Sequence, residues 1–310
     1  MPLDPRVKRF LDALNASGPV DTLESTVEQR RAGLTELMRF GGRAPAMAHC
    51  EDSSISTAAG KIPLRTYTPQ SDQPNAGVLL YFHGGGLVAG SIETHDGVAR
   101  GLAAHSGCRV ISVGYRLAPE HGFPAALDDA MAALRDVQTR AQELGVDPTR
   151  IGVCGDSAGA TLVAATIHAS ARAGCAPVAL QLLLCPILDY SRQTASRLEL
   201  ATGYLVGEST LQHDLLHYLA ADHNPADPRV SPLRATDLTR LPRTVIHTAE
   251  FDPLRDEARE YFERLRHAGV EVSYTCHPGM IHLFYGLGGV IPYATTAMAR
   301  IGAELRDALA

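Results

Sequence analysis

The sequence predicts an α/β fold: a mostly parallel central sheet with helices on both faces and a helical cap. Three observations predict it. An uninterrupted apolar run at residues 78–82 and a largely apolar one at 179–185 are what strands buried on both faces require. Helix-length segments separate these runs throughout the second half of the chain. One strand-like run, residues 150–154, turns directly into a helix-like run, residues 160–172, across Gly155-Asp156-Ser157-Ala158-Gly159.

Residues 1–45 read as a separate helical cap segment. Val7, Phe10, Leu11 and Leu14 recur at helical spacing. Ser25-Thr26-Val27-Glu28 has the pattern of a capping box before a second helix that runs towards Arg39. Leu34, Leu37, Met38 and Phe40 are expected to bury against the main domain. From Pro45 strands begin, first residues 62–67. A polar turn around Pro74-Asn75 leads into the buried run at 78–82.

His83-Gly84-Gly85-Gly86 follows that run. Consecutive glycines let backbone N–H groups approach a ligand closely. The spacing Gly84-x-Gly86-x-x-x-Gly90 misses a dinucleotide fingerprint by one residue. A strand at 108–113 comes next, then a helix from Ala125 to about Leu144. The serine turn, its helix and the strand at 179–185 complete a core of residues 46–188 and 235–310.

Residues 189–234 break the alternation and read as a second cap segment. Ser209-Thr210-Leu211-Gln212 suggests another capping box, with Leu211, Leu215, Leu216 and Leu219 on one face. His213 and His217 stand four apart, as on a metal-binding helix, but Asp214 stands where that motif needs Glu, and a third ligand is missing. No metal and no cofactor is expected. A strand at 243–249 then ends in Glu250-Phe251-Asp252, a helix runs to His267, and a strand covers 270–275. His277 and His282 are placed in the following loop, and the last helix spans about 292–309.

Bulk composition narrows the function. The 310 residues carry a net charge of −6, with no basic run to suit nucleic acid. No apolar run is long enough to span a membrane. The N-terminus lacks the pattern of a signal peptide. Cys50, Cys108, Cys154, Cys175, Cys185 and Cys276 are scattered without a C-x-x-C pair, which suits free thiols in a reducing cytoplasm.

The chemistry centres on Ser157. In a strand–turn–helix context, G-x-S-x-G is a nucleophile elbow, and the N–H of Ala158 is free to bind an anion. An acid at the end of a later strand and a histidine later still give the order Ser…Asp…His. Asp252, Glu250 and Asp256 compete for the acid, and His282 and His277 for the base.

Taken together, His83-Gly84-Gly85-Gly86, residues 115–120, Gly155-Asp156-Ser157-Ala158-Gly159, residues 227–233, residues 252–257 and Gly279-Met280-Ile281-His282 resemble the hormone-sensitive lipase family of esterases. The resemblance implies an α/β-hydrolase fold with Ser157 as nucleophile, His282 as base and Asp252 as orienting acid. It implies an oxyanion hole of Gly84, Gly85 and Ala158, with His83 and Asp156 shaping the loops. It also implies a small-molecule ester as substrate and a homodimer. A serine carboxylesterase acting on short- to medium-chain esters is therefore expected. An amidase or formamidase would use the same residues, and a binding protein of this fold would lack one of them.

By placement, Leu87, Val88, Leu205, Val206 and Phe284 are expected to line the pocket. Two departures from the family add bulk. Leu283-Phe284 replaces the usual Gly-Phe after the histidine, and Ala160 replaces a glycine after the elbow. Both are expected to narrow the pocket.

Overall fold

A computed structural model describes residues 2–17, 22–71 and 77–309. The turn expected at Pro74-Asn75 lies outside them. In chain order the elements are α1 (Pro5–Leu14), α2 (Val27–Met38), β1 (His49–Thr57), β2 (Gly60–Thr68), β3 (Val78–Phe82), α3 (Asp96–Ser106), β4 (Arg109–Val113) and α4 (Ala125–Thr139). They continue as β5 (Ile151–Asp156), α5 (Ala158–Arg172), β6 (Leu180–Leu184), α6 (Ala195–Glu199) and α7 (Glu208–Tyr218). The last are β7 (Arg243–Phe251), α8 (Arg255–His267), β8 (Val272–Ile281) and α9 (Tyr293–Ala308).

The strands form one sheet in the order β1-β2-β4-β3-β5-β6-β7-β8. The first two strands pair antiparallel, as does β2 with β4, and every later pairing is parallel. The apolar runs make sense in this setting, because each central strand is covered twice. Along β3, Val78, Leu80 and Phe82 enter the core on one face, and Leu79 and Tyr81 enter the core on the other. The parallel strands deliver their C-terminal ends to one edge of the sheet, where crevices for ligands form in such folds.

Several elements differ from the sequence reading. The polar strand β1 and the helix α3 had no signal. The first is largely exposed, so it carries no apolar alternation. The second is rich in Ala and Gly and packs closely on α9, where a Cβ on Gly302 would run into His105. The helix α4 stops at Thr139, with a turn before Gly145. The capping box of α2 is Thr26 with Gln29, one residue later than expected. Phe40 is exposed rather than buried. The helix α7 starts from Gly207 with no side-chain cap, so Ser209 caps nothing, and Leu216 is 73% exposed instead of sharing the buried face of Leu211.

The largest difference is at β8, which continues to Ile281 and takes His277 into the sheet. Pro278-Gly279 lies in the stretch expected as a loop. In the structure it is an irregularity in the pairing of β7 with β8. Bonds from outside the ladder fill the gap: Gly279 N donates to Glu250 Oε2 at 2.7 Å, and Asp4 N donates to Gly279 O at 3.1 Å.

Candidate active site

Ser157 sits between β5 and α5 with φ 52° and ψ −121°, a conformation non-glycine residues rarely adopt. The elbow exists because its neighbours are small. A Cβ on Gly159 would run into the carbonyl oxygens of Phe82 and His83, and one on Gly155 would lie 2.5 Å from the Gly159 backbone. Ser157 N donates to Leu184 O at 2.8 Å, which fixes the turn against β6.

Asp252 follows β7 and His282 follows β8, two neighbouring strands. Asp252 Oδ1 accepts from Leu254 N at 2.9 Å, and its Oδ2 lies 2.8 Å from His282 Nδ1. His282 Nε2 lies 3.0 Å from Ser157 Oγ. All three residues are buried. Burial pushes the imidazole of His282 down, but the charge and hydrogen bond of Asp252 outweigh it and hold His282 above its ordinary value.

The rivals are occupied elsewhere. Glu250 accepts from Gly279 N. Asp256 accepts from Ser196 N at 2.8 Å and pairs with Arg255. His277 lies between His247, at 3.0 Å, and Tyr293, at 3.1 Å. Burial and the neighbouring His247 push it down to about 3. On α7, His213 Nδ1 faces Asp214 Oδ1 and its Nε2 faces Ser25 O, while His217 Nδ1 faces His213 O. Both His213 nitrogens thus face oxygen atoms of the chain.

One expected oxyanion donor is corrected. The N–H of Gly84 donates to Asp156 Oδ1 at 3.0 Å and is spent on holding the loop. The glycines that face the cavity beside Ser157 are Gly85 and Gly86. His83 and Asp156 shape the loops. His83 Nδ1 lies 2.8 Å from Gly84 O, and Tyr115 Oη donates to His83 O at 2.6 Å. Asp156 is buried, accepts from Tyr81 Oη at 2.5 Å, and lies 3.5 Å from His95 Nε2. Burial raises its carboxyl, but His95 and Tyr81 together bring it below the ordinary value.

The cavity above Ser157 has a volume of about 340 Å³. Leu205 and Val206 line it as expected, together with Leu34 and Leu37 of α2 and Leu211 of α7. Leu87, Val88 and Phe284 do not. They are fully buried in the core, because the loops that carry them turn these side chains inward. Ala160, in the first turn of α5, is likewise buried in the core and does not line the cavity, whereas Leu283 does.

Sequence reasoning missed Cys185. It follows β6 with φ +44° and is buried. Its sulfur lies within 4.8 Å of ligand atoms of both Asp252 and His282. The thiol thus lies against the Asp252 carboxylate and the catalytic imidazole. Burial and the Asp252 carboxylate push it well up, so it stays protonated. It missed Arg30 and Asp214 too, a pair that spans the cavity from α2 to α7. Nothing in the sequence brings residues so far apart together.

Among the described residues no helix is long and apolar enough to cross a membrane. The model of a family with the alpha/beta hydrolase fold matches residues 79–286. A carboxylesterase of Mycobacterium tuberculosis is 38% identical over 312 residues, covering 99% of this chain and 96% of that one. An ethyl acetate hydrolase of Pseudomonas putida is 35% identical over the whole of both chains. The solved structure of an ester hydrolase from the metagenome of Lake Arreo superposes with a TM-score of 0.94 at 37% identity, covering 98% of each chain. With this match over residues 79–286 and these relatives along its full length, the chain belongs to the alpha/beta hydrolase family.

Proposed function

We propose that this carboxylic ester hydrolase works through an acyl-enzyme on Ser157, and that its substrates are small esters of short to medium chain length. The observation that carries the reading is the unbroken chain from Asp252 through His282 to Ser157 Oγ beneath the cavity.

A serine hydroxyl attacks poorly until a base takes its proton. His282 Nε2 accepts that proton as Oγ bonds to the ester carbonyl carbon. Asp252 fixes the tautomer through Nδ1 and stabilises the imidazolium. The carbonyl oxygen becomes an oxyanion facing the N–H groups of Gly85, Gly86 and Ala158. Collapse of the tetrahedral species breaks the bond to the alcohol oxygen, which takes the proton from His282. Water then attacks the acyl-enzyme with His282 again as base, and the acid leaves.

The cap helices α2 and α7 contribute an apolar wall, through Leu34, Leu37 and Leu211, that suits an aliphatic chain. Hydrolysis of p-nitrophenyl butyrate by the wild type and by Ser157→Ala tests the reading. The variant should lose at least about three orders of magnitude in kcat. Comparable turnover by the two proteins would remove Ser157 from the chemistry.

A further inference from the structure

Arg30 of α2 and Asp214 of α7 meet in the wall of the cavity that holds Ser157. Arg30 Nε donates to Asp214 Oδ1 at 3.1 Å, and Nη2 donates to Oδ2 at 2.8 Å. Their side chains are only 14% and 5% exposed. The pair stands next to the reacting centre. Gly86 has φ +69°, and a Cβ there would overlap the Asp214 carboxylate.

A buried ion pair is a poor stabilising device, since apolar residues of similar volume commonly do as well or better. Its placement in the cavity wall therefore calls for a task beyond stability. The hydrogen-bonding inventory points to one. Both Asp214 oxygens are occupied, Oδ1 also lying 3.1 Å from His213 Nδ1. A guanidinium carries donors on all three nitrogens. Among the described residues Nη1 of Arg30 makes no hydrogen bond, so the pair offers the cavity more free donors than free acceptors. A ligand group that matches this surplus is an acceptor oxygen. A carboxylate would bring a second negative charge beside Asp214, whereas a neutral oxygen would not.

We infer that Arg30 forms a polar subsite beside the oxyanion glycines, binding a neutral acceptor oxygen (ether, ketone or hydroxyl) close to the scissile ester. The inference rests on the ester-hydrolysis reading and narrows its substrate class from plain alkyl esters to oxygenated ones.

Isosteric pairs test it, because oxygen replaces a methylene with little change in shape. On the acyl side the pair is p-nitrophenyl methoxyacetate against p-nitrophenyl butyrate. On the alcohol side it is 2-methoxyethyl acetate against butyl acetate. Each kcat/KM ratio is divided by the ratio of hydroxide-catalysed rates. The wild type should prefer the oxygenated member in at least one pair by roughly tenfold, the scale of a hydrogen bond to a charged donor. Arg30→Met with Asp214→Leu removes the donors without stranding a charge, and its ratio should fall to the hydroxide value.

A wild-type ratio equal to the hydroxide value in both pairs overturns the subsite, whether or not the double variant folds. So does a preference that survives in a folded double variant. If instead Ser157 is not labelled by a fluorophosphonate and neither ester turns over, the parent reading fails and the subsite goes with it.

Discussion

The N–H of Gly84 donates to Asp156 Oδ1 at 3.0 Å, which ties the glycine loop to the residue immediately before Ser157. The same oxygen accepts from Tyr81 Oη. One buried carboxylate thus sets the distance between the two halves of the proposed oxyanion hole. Asp156→Ala should lower kcat about a hundredfold, the scale of losing one oxyanion donor. It should also destabilise the fold by about 1–3 kcal/mol, because buried donors lose their partner. Asp156→Asn keeps an acceptor at Oδ1 and should restore most of the activity. Steady-state kinetics and denaturant melts on both variants check this.

The pH profile follows from His282. As a base it must be neutral, and Asp252 holds its proton affinity above the ordinary value of 6.5. The acidic limb of kcat/KM should therefore have its midpoint above 6.5. Asp252→Asn removes the raising charge, so the midpoint should move down. Activity at neutral pH should fall by about four orders of magnitude. The profile is read with p-nitrophenyl butyrate in a constant-ionic-strength buffer.

Cys185 should act on the same limb. Its thiol lies within 4.8 Å of Asp252 and His282, against the carboxylate that Leu254 and His282 hydrogen-bond. Without it the carboxylate carries more charge towards His282, so Cys185→Ala should move the acidic midpoint up by a few tenths of a unit. The expected loss in kcat/KM is about three- to tenfold, the scale of one modest hydrogen bond. Cys185→Ser keeps a donor and should return the midpoint to the wild-type position. A thiol that only fills space would leave the midpoint unmoved in both variants.

Acid should unfold the protein through its buried neutral histidines. His83 and His277 are pushed down to about 3, and His168 to about 4, chiefly by burial. The unfolded chain protonates these residues near 6.5, while the folded one leaves them neutral. Their contribution is full above 6.5 and is lost as pH falls towards 3–4. Each adds a slope of up to about 1.4 kcal/mol per pH unit in that window. Urea melts between pH 7 and pH 4 should show the loss, and His277→Gln should flatten it.

Much of this architecture was legible because chemistry and burial coincide in it. Val78–Phe82 is apolar throughout, and Leu180–Leu184 nearly so, because both faces of each strand are covered. Gly155 and Gly159 are small because backbone crowds them. The order of Ser157, Asp252 and His282 was readable from motifs. Gly84 was misplaced because three consecutive glycines look alike in sequence, and only Asp156 decides which N–H is spent. Leu87, Val88 and Phe284 were misplaced because proximity along the chain to a motif says nothing about which way a side chain turns. β1 escaped because an exposed edge strand needs no apolar pattern. Arg30–Asp214 and Cys185–Asp252 are tertiary pairs, with no local spacing to announce them.

Fluorophosphonate labelling followed by intact-protein and peptide mass spectrometry tests the central claim most directly. The account predicts one adduct per chain, located on Ser157, with loss of ester hydrolysis in proportion to labelling. It also predicts that His282→Ala slows the labelling by orders of magnitude. An adduct on another residue, or full hydrolysis by a protein whose Ser157 is completely labelled, would contradict it.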